Sequence, residues 1–87
     1  MSQTITVNIL YFAQLREAVN AAEESLQLPA HIGTVAQLKE QLAQRNAQWQ
    51  KAFSQTVLCA VNQTVALDEQ VIQNGDEIAF FPPVTGG

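Results

Sequence analysis

Ile5, Val7, Ile9 and Tyr11 alternate with Thr4, Thr6, Asn8, Leu10 and Phe12, and a period of two predicts a strand with one face in a core. The other face of that strand begins polar and turns apolar at Leu10 and Phe12. Ala13 to Asn20 holds good helix formers with Leu15, Ala18 and Val19 on one side, which predicts a short helix. Ser25-Leu26-Gln27-Leu28 reads as a second strand closed by Pro29. Thr34 and Gln37 make a capping box, whose side chains satisfy free backbone N–H groups at a helix N-terminus. Val35, Leu38 and Leu42 come next at helical spacing, and Trp49 and Phe53 extend the stripe if the helix continues or resumes after Asn46. Val57 to Val61 predicts a third strand, with Val57, Cys59 and Val61 on one face. Asn62-Gln63 then turns into a short strand, Thr64 to Leu67. Asn74-Gly75 is a turn signal ahead of the last strand, Glu77 to Phe81, with Ile78 and Phe80 inward.

The order strand, helix, strand, helix, strand, strand, strand predicts an α+β domain over residues 1–81, its one mixed sheet wrapped across the main amphipathic helix. Such a fold has one core and no obvious active-site cleft. Residues 82–87 form an extended tail. Pro82-Pro83 ends the strand, because proline fixes its own φ and cannot donate to a ladder, and it projects the last residues away from the body. Gly86 and Gly87 lack a Cβ, so this stretch fits a channel too narrow for other residues. The group that reaches the end of such a channel is the Gly87 carboxylate, a chemical handle. If the first and last strands lie side by side, Leu10, Phe12 and Phe81 form an apolar patch where the tail leaves, and exposed aromatic patches mark partner surfaces.

Composition narrows the chemistry. The 87 residues are 47% hydrophobic with a net charge of −4, which indicates one folded domain. Arg16, Lys39, Arg45 and Lys51 are the only cations and make no basic stripe, which argues against nucleic acid and suits a basic protein partner. No apolar run approaches a membrane span and no signal peptide is visible at Met1-Ser2-Gln3-Thr4. A single cysteine, Cys59, makes no internal disulfide and fits a reducing, cytoplasmic setting as an inert core thiol. His31, beside Pro29 and Gly33, is a loop histidine without a metal or triad partner. Glu23-Glu24, Asp68-Glu69 and Asp76-Glu77 read mostly as solvated charges, since neighbours in a strand point to opposite faces. No metal constellation, phosphate-cradling loop or nucleophile with a base is present, so the chain alone lacks the groups to catalyse a reaction.

Leu10-Tyr11-Phe12-Ala13-Gln14-Leu15-Arg16-Glu17, Ala60-Val61-Asn62-Gln63, Asn74-Gly75-Asp76-Glu77 and Phe80-Phe81-Pro82-Pro83-Val84-Thr85-Gly86-Gly87 together resemble the small, sulfur-carrying subunits of molybdopterin synthase. The resemblance covers essentially the whole chain and implies the ubiquitin-like β-grasp fold. It further implies that Gly87 is adenylated by an ATP-using, E1-like activating enzyme and converted to a thiocarboxylate with a sulfur donor. The tail then enters the large synthase subunit and gives sulfur to cyclic pyranopterin monophosphate. Gly87 is on this basis the reacting residue and Gly86 the steric requirement. Pro82, Pro83, Val84 and Thr85 guide the tail, and Leu10, Phe12 and Phe81 dock the partner. The family forms a heterotetramer and consumes ATP in the partner, with no cofactor or metal bound by the carrier itself. A sulfur carrier of the thiamine pathway and a ubiquitin-like protein modifier share a Gly-Gly end and stay open as alternatives.

Overall fold

A computed structural model of the protein describes residues 4–83. The chain runs β1 (Thr4–Tyr11), α1 (Ala13–Val19), β2 (Glu23–Pro29), α2 (Val35–Ala43), α3 (Ala47–Phe53), β3 (Leu58–Val61), β4 (Thr64–Ala66) and β5 (Glu77–Phe81). The five strands make one mixed sheet in the order β2-β1-β5-β3-β4. β1 and β5 pair in parallel at its centre, with Ile9 opposite Ile78 and Tyr11 opposite Phe80, and every other pairing is antiparallel. The helices cover one face. Val35, Leu38 and Leu42 are fully buried there in one cluster with Val7, Ile9, Ile78 and Phe80. This is the β-grasp, ubiquitin-like α+β fold.

The predicted middle helix is two helices. Asn46 breaks the stripe by acting as N-cap of α3, its side chain accepting from the Trp49 N–H at 3.1 Å. Asparagine favours this role because its short side chain competes for nearby backbone donors. The break lets Trp49 turn inward edge-on to Tyr11, while Phe53 meets Phe80 at 85°. At the start of α2 the predicted capping box is formed: Thr34 Oγ1 accepts from Gln37 N–H and Gln37 Oε1 accepts from Thr34 N–H. The next free donors, on Val35 and Ala36, reach the carbonyls of Gln70 and Asp68. The irregular segment before β5 is thereby tied to the helix.

Smaller departures have their cause in pairing. β2 extends over seven residues because β1 offers a partner for each, up to Thr4 opposite Pro29. Ile5, placed in the core by its alternation, is only half-buried, being near the start of the sheet. Ala18 is exposed, so α1 buries only Leu15 and Val19. β3 begins at Leu58 and β4 stops at Ala66. The turn between β3 and β4 puts both Asn62 and Gln63 in the left-handed region, at φ 51° and 70°, which suits the twist of a two-residue hairpin. Asn62 then bridges to β5, accepting from the Glu77 N–H at 3.0 Å and donating to Asp76 Oδ1 at 2.9 Å.

Candidate docking face and tail exit

The face of the sheet away from the helices is polar at one end and apolar at the other. Its polar end carries Thr6, Asn8, Ser25, Gln27 and Glu77. At the apolar end the registers line up Leu10, Ala79, Ala60 and Val65 in a row across four strands. Phe81 lies opposite Leu58 one step further along, Phe12 comes after Tyr11 on the neighbouring side, and Leu67 lies just beyond β4. Strands about 4.8 Å apart put such residues in lateral contact, so the two rows form one surface. Phe12 is 46%, Leu58 38% and Val65 and Leu67 each 73% exposed. Leu10 and Phe81 are half-buried.

The structure therefore brings Leu10, Phe12 and Phe81 to one end of one face, as the alternation predicted. Phe12 differs in belonging to no strand: it is the N-cap of α1 and its side chain caps nothing. Leu58, Ala60, Val65 and Leu67 were not singled out from the sequence. Their outward positions are implied by alternation, but only the register shows that they extend the same patch.

The tail leaves from this end. β5 stops at Phe81, and Pro82, half-buried, and Pro83, exposed, continue without regular structure. Val84, Thr85, Gly86 and Gly87, the rest of the predicted guide and the reacting end, lie outside the described residues. The exit is anchored from both sides, with the Phe12 N–H donating to the Phe80 carbonyl at 3.1 Å. Pro82 also lines an open groove of about 430 Å³ between α1 and α3, walled by Gln14, Ala18, Gln48, Lys51 and Gln55. Sequence reasoning anticipated no such hollow. Its walls mix the amides of Gln14, Gln48 and Gln55 and the Lys51 ammonium with apolar Leu15, Ala52 and Val57, and hold no histidine or carboxylate to act as a base.

Beneath the face, Tyr11 stacks on Phe80 at 6.2 Å and its hydroxyl donates to Glu24 Oε2 at 2.8 Å. Arg45 grips the same carboxylate with two bonds of 2.7 and 2.8 Å while its guanidinium lies 4.5 Å from the centre of the Trp49 ring. Glu24 is thus not a solvated charge. The Arg45 bonds hold its carboxyl below the usual range, and burial together with Glu24 drives the Tyr11 hydroxyl far up. Asp68 is also engaged, accepting from Lys39 at 2.9 Å, and Asp76 accepts from the Gln73 N–H at 2.8 Å. These carboxylates fasten elements together. Cys59 is buried, and burial pushes its thiol up to about 11, the opposite of an activated thiolate. His31 is exposed. Among the described residues no group of three His, Cys, Asp or Glu is placed to hold a metal, and no helix is long and apolar enough to cross a membrane.

A β-grasp body with a one-ended apolar face and a proline-led exit defines a class of small ubiquitin-like domains. The model of the ThiS family matches residues 9–87, and the chain belongs to that family. It is 44% identical over 82 residues to the molybdopterin synthase sulfur carrier subunit of Haemophilus influenzae, covering 93% of this chain and 99% of the relative. A solved structure described as molybdopterin converting factor subunit 1 of Pyrococcus furiosus superimposes with a TM-score of 0.77 at 26% identity, covering 92% of this chain and 99% of that one. The fold also matches, with a TM-score of 0.62 and 21% identity, a chain in the complex of subunits 1 and 2 of the Helicobacter pylori molybdopterin-converting factor, over 95% of this chain and all of that one.

Proposed function

We propose that this protein is the sulfur carrier subunit of molybdopterin synthase. The observation that carries the reading is the placement of two apolar rows at the end of the sheet from which Pro82-Pro83 leads towards Gly86-Gly87. The similarity to named sulfur carriers over nearly the full chain supports it. The body docks by the Leu10, Phe12 and Phe81 face, and Pro82 to Gly86 deliver Gly87 into a partner's pocket.

The division of labour has a chemical basis. A carboxylate is a poor electrophile, because its negative charge and resonance repel nucleophiles. An E1-like enzyme joins the Gly87 carboxylate to the AMP portion of ATP and releases pyrophosphate. A sulfur nucleophile then attacks the acyl carbon, AMP leaves, and a thiocarboxylate remains. Its sulfur is anionic at neutral pH and polarisable, so it is a nucleophile for the same reason that thiolates are. In the large subunit its sulfur attacks cyclic pyranopterin monophosphate and displaces an oxygen substituent, water then cleaves the acyl–sulfur bond and returns Gly87 as a carboxylate, and two such transfers build the dithiolene. Each step needs the terminal carbonyl held in a site that controls the access of water and supplies fixed charge, which the partners provide. The carrier binds no cofactor itself, works in the cytoplasm and assembles with the large subunit as a heterotetramer.

The test is the intact mass of the protein after incubation with the activating enzyme, ATP and a sulfur donor. Exchange of one terminal oxygen for sulfur adds about 16 Da, the difference between the two elements. An unchanged mass with an enzyme active on a known carrier would overturn the reading in favour of a conjugated ubiquitin-like modifier. Transfer to the thiamine pathway instead is decided by which acceptor removes the added sulfur.

A further inference from the structure

β1 passes into α1 with a single residue, Phe12, between them. That residue stays extended at φ −123° and ψ 155°, and the next, Ala13, takes φ +56°. The left-handed region is disfavoured for any residue with a Cβ, and alanine gains no local side-chain hydrogen bond there as asparagine does. Asn20, Asn62 and Gln63 also have positive φ, but they sit at a helix C-terminus and a hairpin turn where such values are ordinary. Ala13 sits at neither. Its conformation reverses the chain within one residue, so that the Phe12 N–H meets the Phe80 carbonyl while the Phe12 carbonyl accepts from the Arg16 N–H at 3.3 Å. Both backbone groups of Phe12 are thereby held, yet its ring packs into no core and stays 46% exposed beside the tail exit. Strain of this kind persists where the surroundings over-determine it and collects at functional positions.

The geometry points to Ala13 as a positioning residue that holds Phe12 ready for the partner before contact. The inference rests on the docking role of Phe12 in the proposed function. It adds that part of the affinity comes from an aromatic residue whose backbone is already fixed in the free protein, so binding has only the ring left to order.

The experiment is a double-mutant cycle on the full chain, with affinity for the molybdopterin synthase large subunit read by calorimetry and folding read by thermal melting. Ala13→Gly accepts positive φ freely but releases the constraint. Relief of strain in the folded state and the added freedom of the unfolded chain oppose each other, so the melting temperature stays close to the parent's. Affinity is expected to fall about three- to tenfold, the range for ordering one side chain. In a Phe12→Ala background the same change is expected to have no effect. Ala13→Asn, which favours the left-handed region, should retain parental affinity. Parental affinity in Ala13→Gly, or an equal loss with and without the Phe12 ring, overturns the role of Ala13 while leaving the docking face intact. Parental affinity in Phe12→Ala overturns both.

Discussion

Arg45→Ala isolates the clasp beneath the docking face. The substitution removes two charge-assisted hydrogen bonds to Glu24, of 2.7 and 2.8 Å, and the contact with the Trp49 ring. Each partner side chain is about a quarter exposed, 29% for Arg45 and 24% for Glu24, so solvent screening keeps the pair well below the value of a buried one. Bidentate geometry and a carboxylate shared with Tyr11 keep it above a typical surface pair. Together the two bonds contribute about 1.5 kcal/mol and the cation–π contact about 0.5 kcal/mol. A loss of about 2 kcal/mol lowers the melting temperature of a domain this size by about 8–16 °C. Urea unfolding monitored by tryptophan fluorescence and circular dichroism measures it, Trp49 being the sole tryptophan. Arg45→Lys should recover less than half, because an ammonium cannot grip both oxygens at once.

The pH dependence supplies the sign. Arg45 depresses the folded-state pKa of Glu24 below its ordinary 4.5. The pair's stabilisation is therefore complete above the unfolded value and is lost as pH falls through the folded one. The gap between parent and Arg45→Ala should be full at pH 7, begin to close below about pH 4.5 and continue to narrow under further acidification. A gap under about 0.5 kcal/mol at pH 7 would refute the assignment. So would a gap that is the same at pH 3 as at pH 7, because the loss would then belong to packing and not to charge.

Phe81→Asp puts a carboxylate in the apolar row opposite Leu58 and should weaken binding to the large subunit by more than ~2 kcal/mol, with the fold retained by circular dichroism. Unchanged affinity in that folded variant would remove Phe81 from the interface. Leu58→Asp should act in the same direction, since Leu58 belongs to the same row, and parental affinity would confine the interface to the β1 side. Gly86→Val adds a branched side chain to the tail and should impair thiocarboxylate formation while the melting temperature stays within about 2 °C of the parent. Native Cys59 should react with iodoacetamide at pH 8 much more slowly than the urea-unfolded chain, because its thiol is buried with a pKa pushed up to about 11; equal rates would contradict that burial.

Local patterns carry far in this chain because their causes are local. Alternation in β1 and β5 reflects the two-residue period of a strand, so Ile9, Tyr11, Ile78 and Phe80 were legible as core. The Thr34–Gln37 capping box was equally plain, since both partners lie within one helical turn. The proline-led Gly-Gly end suggested a chemical handle through residue type, and the sulfur chemistry proposed for it came from the resemblance. Pairing is different. That Leu10, Ala79, Ala60 and Val65 share a row depends on registers among strands up to dozens of residues apart, and a slip of one residue in any strand would send its contribution to the other face. Glu24 looked solvated because adjacent strand residues point to opposite faces and Glu23 could not pair with it; the tertiary fold sets it against Tyr11 and Arg45, 13 and 21 residues away. Short-range spacing was enough to specify most of the elements and the core faces. The extent of the candidate docking face and the left-handed Ala13 behind Phe12 came only with folding, because both arise where distant segments meet; the break at Asn46, which the sequence left open, is a local cap.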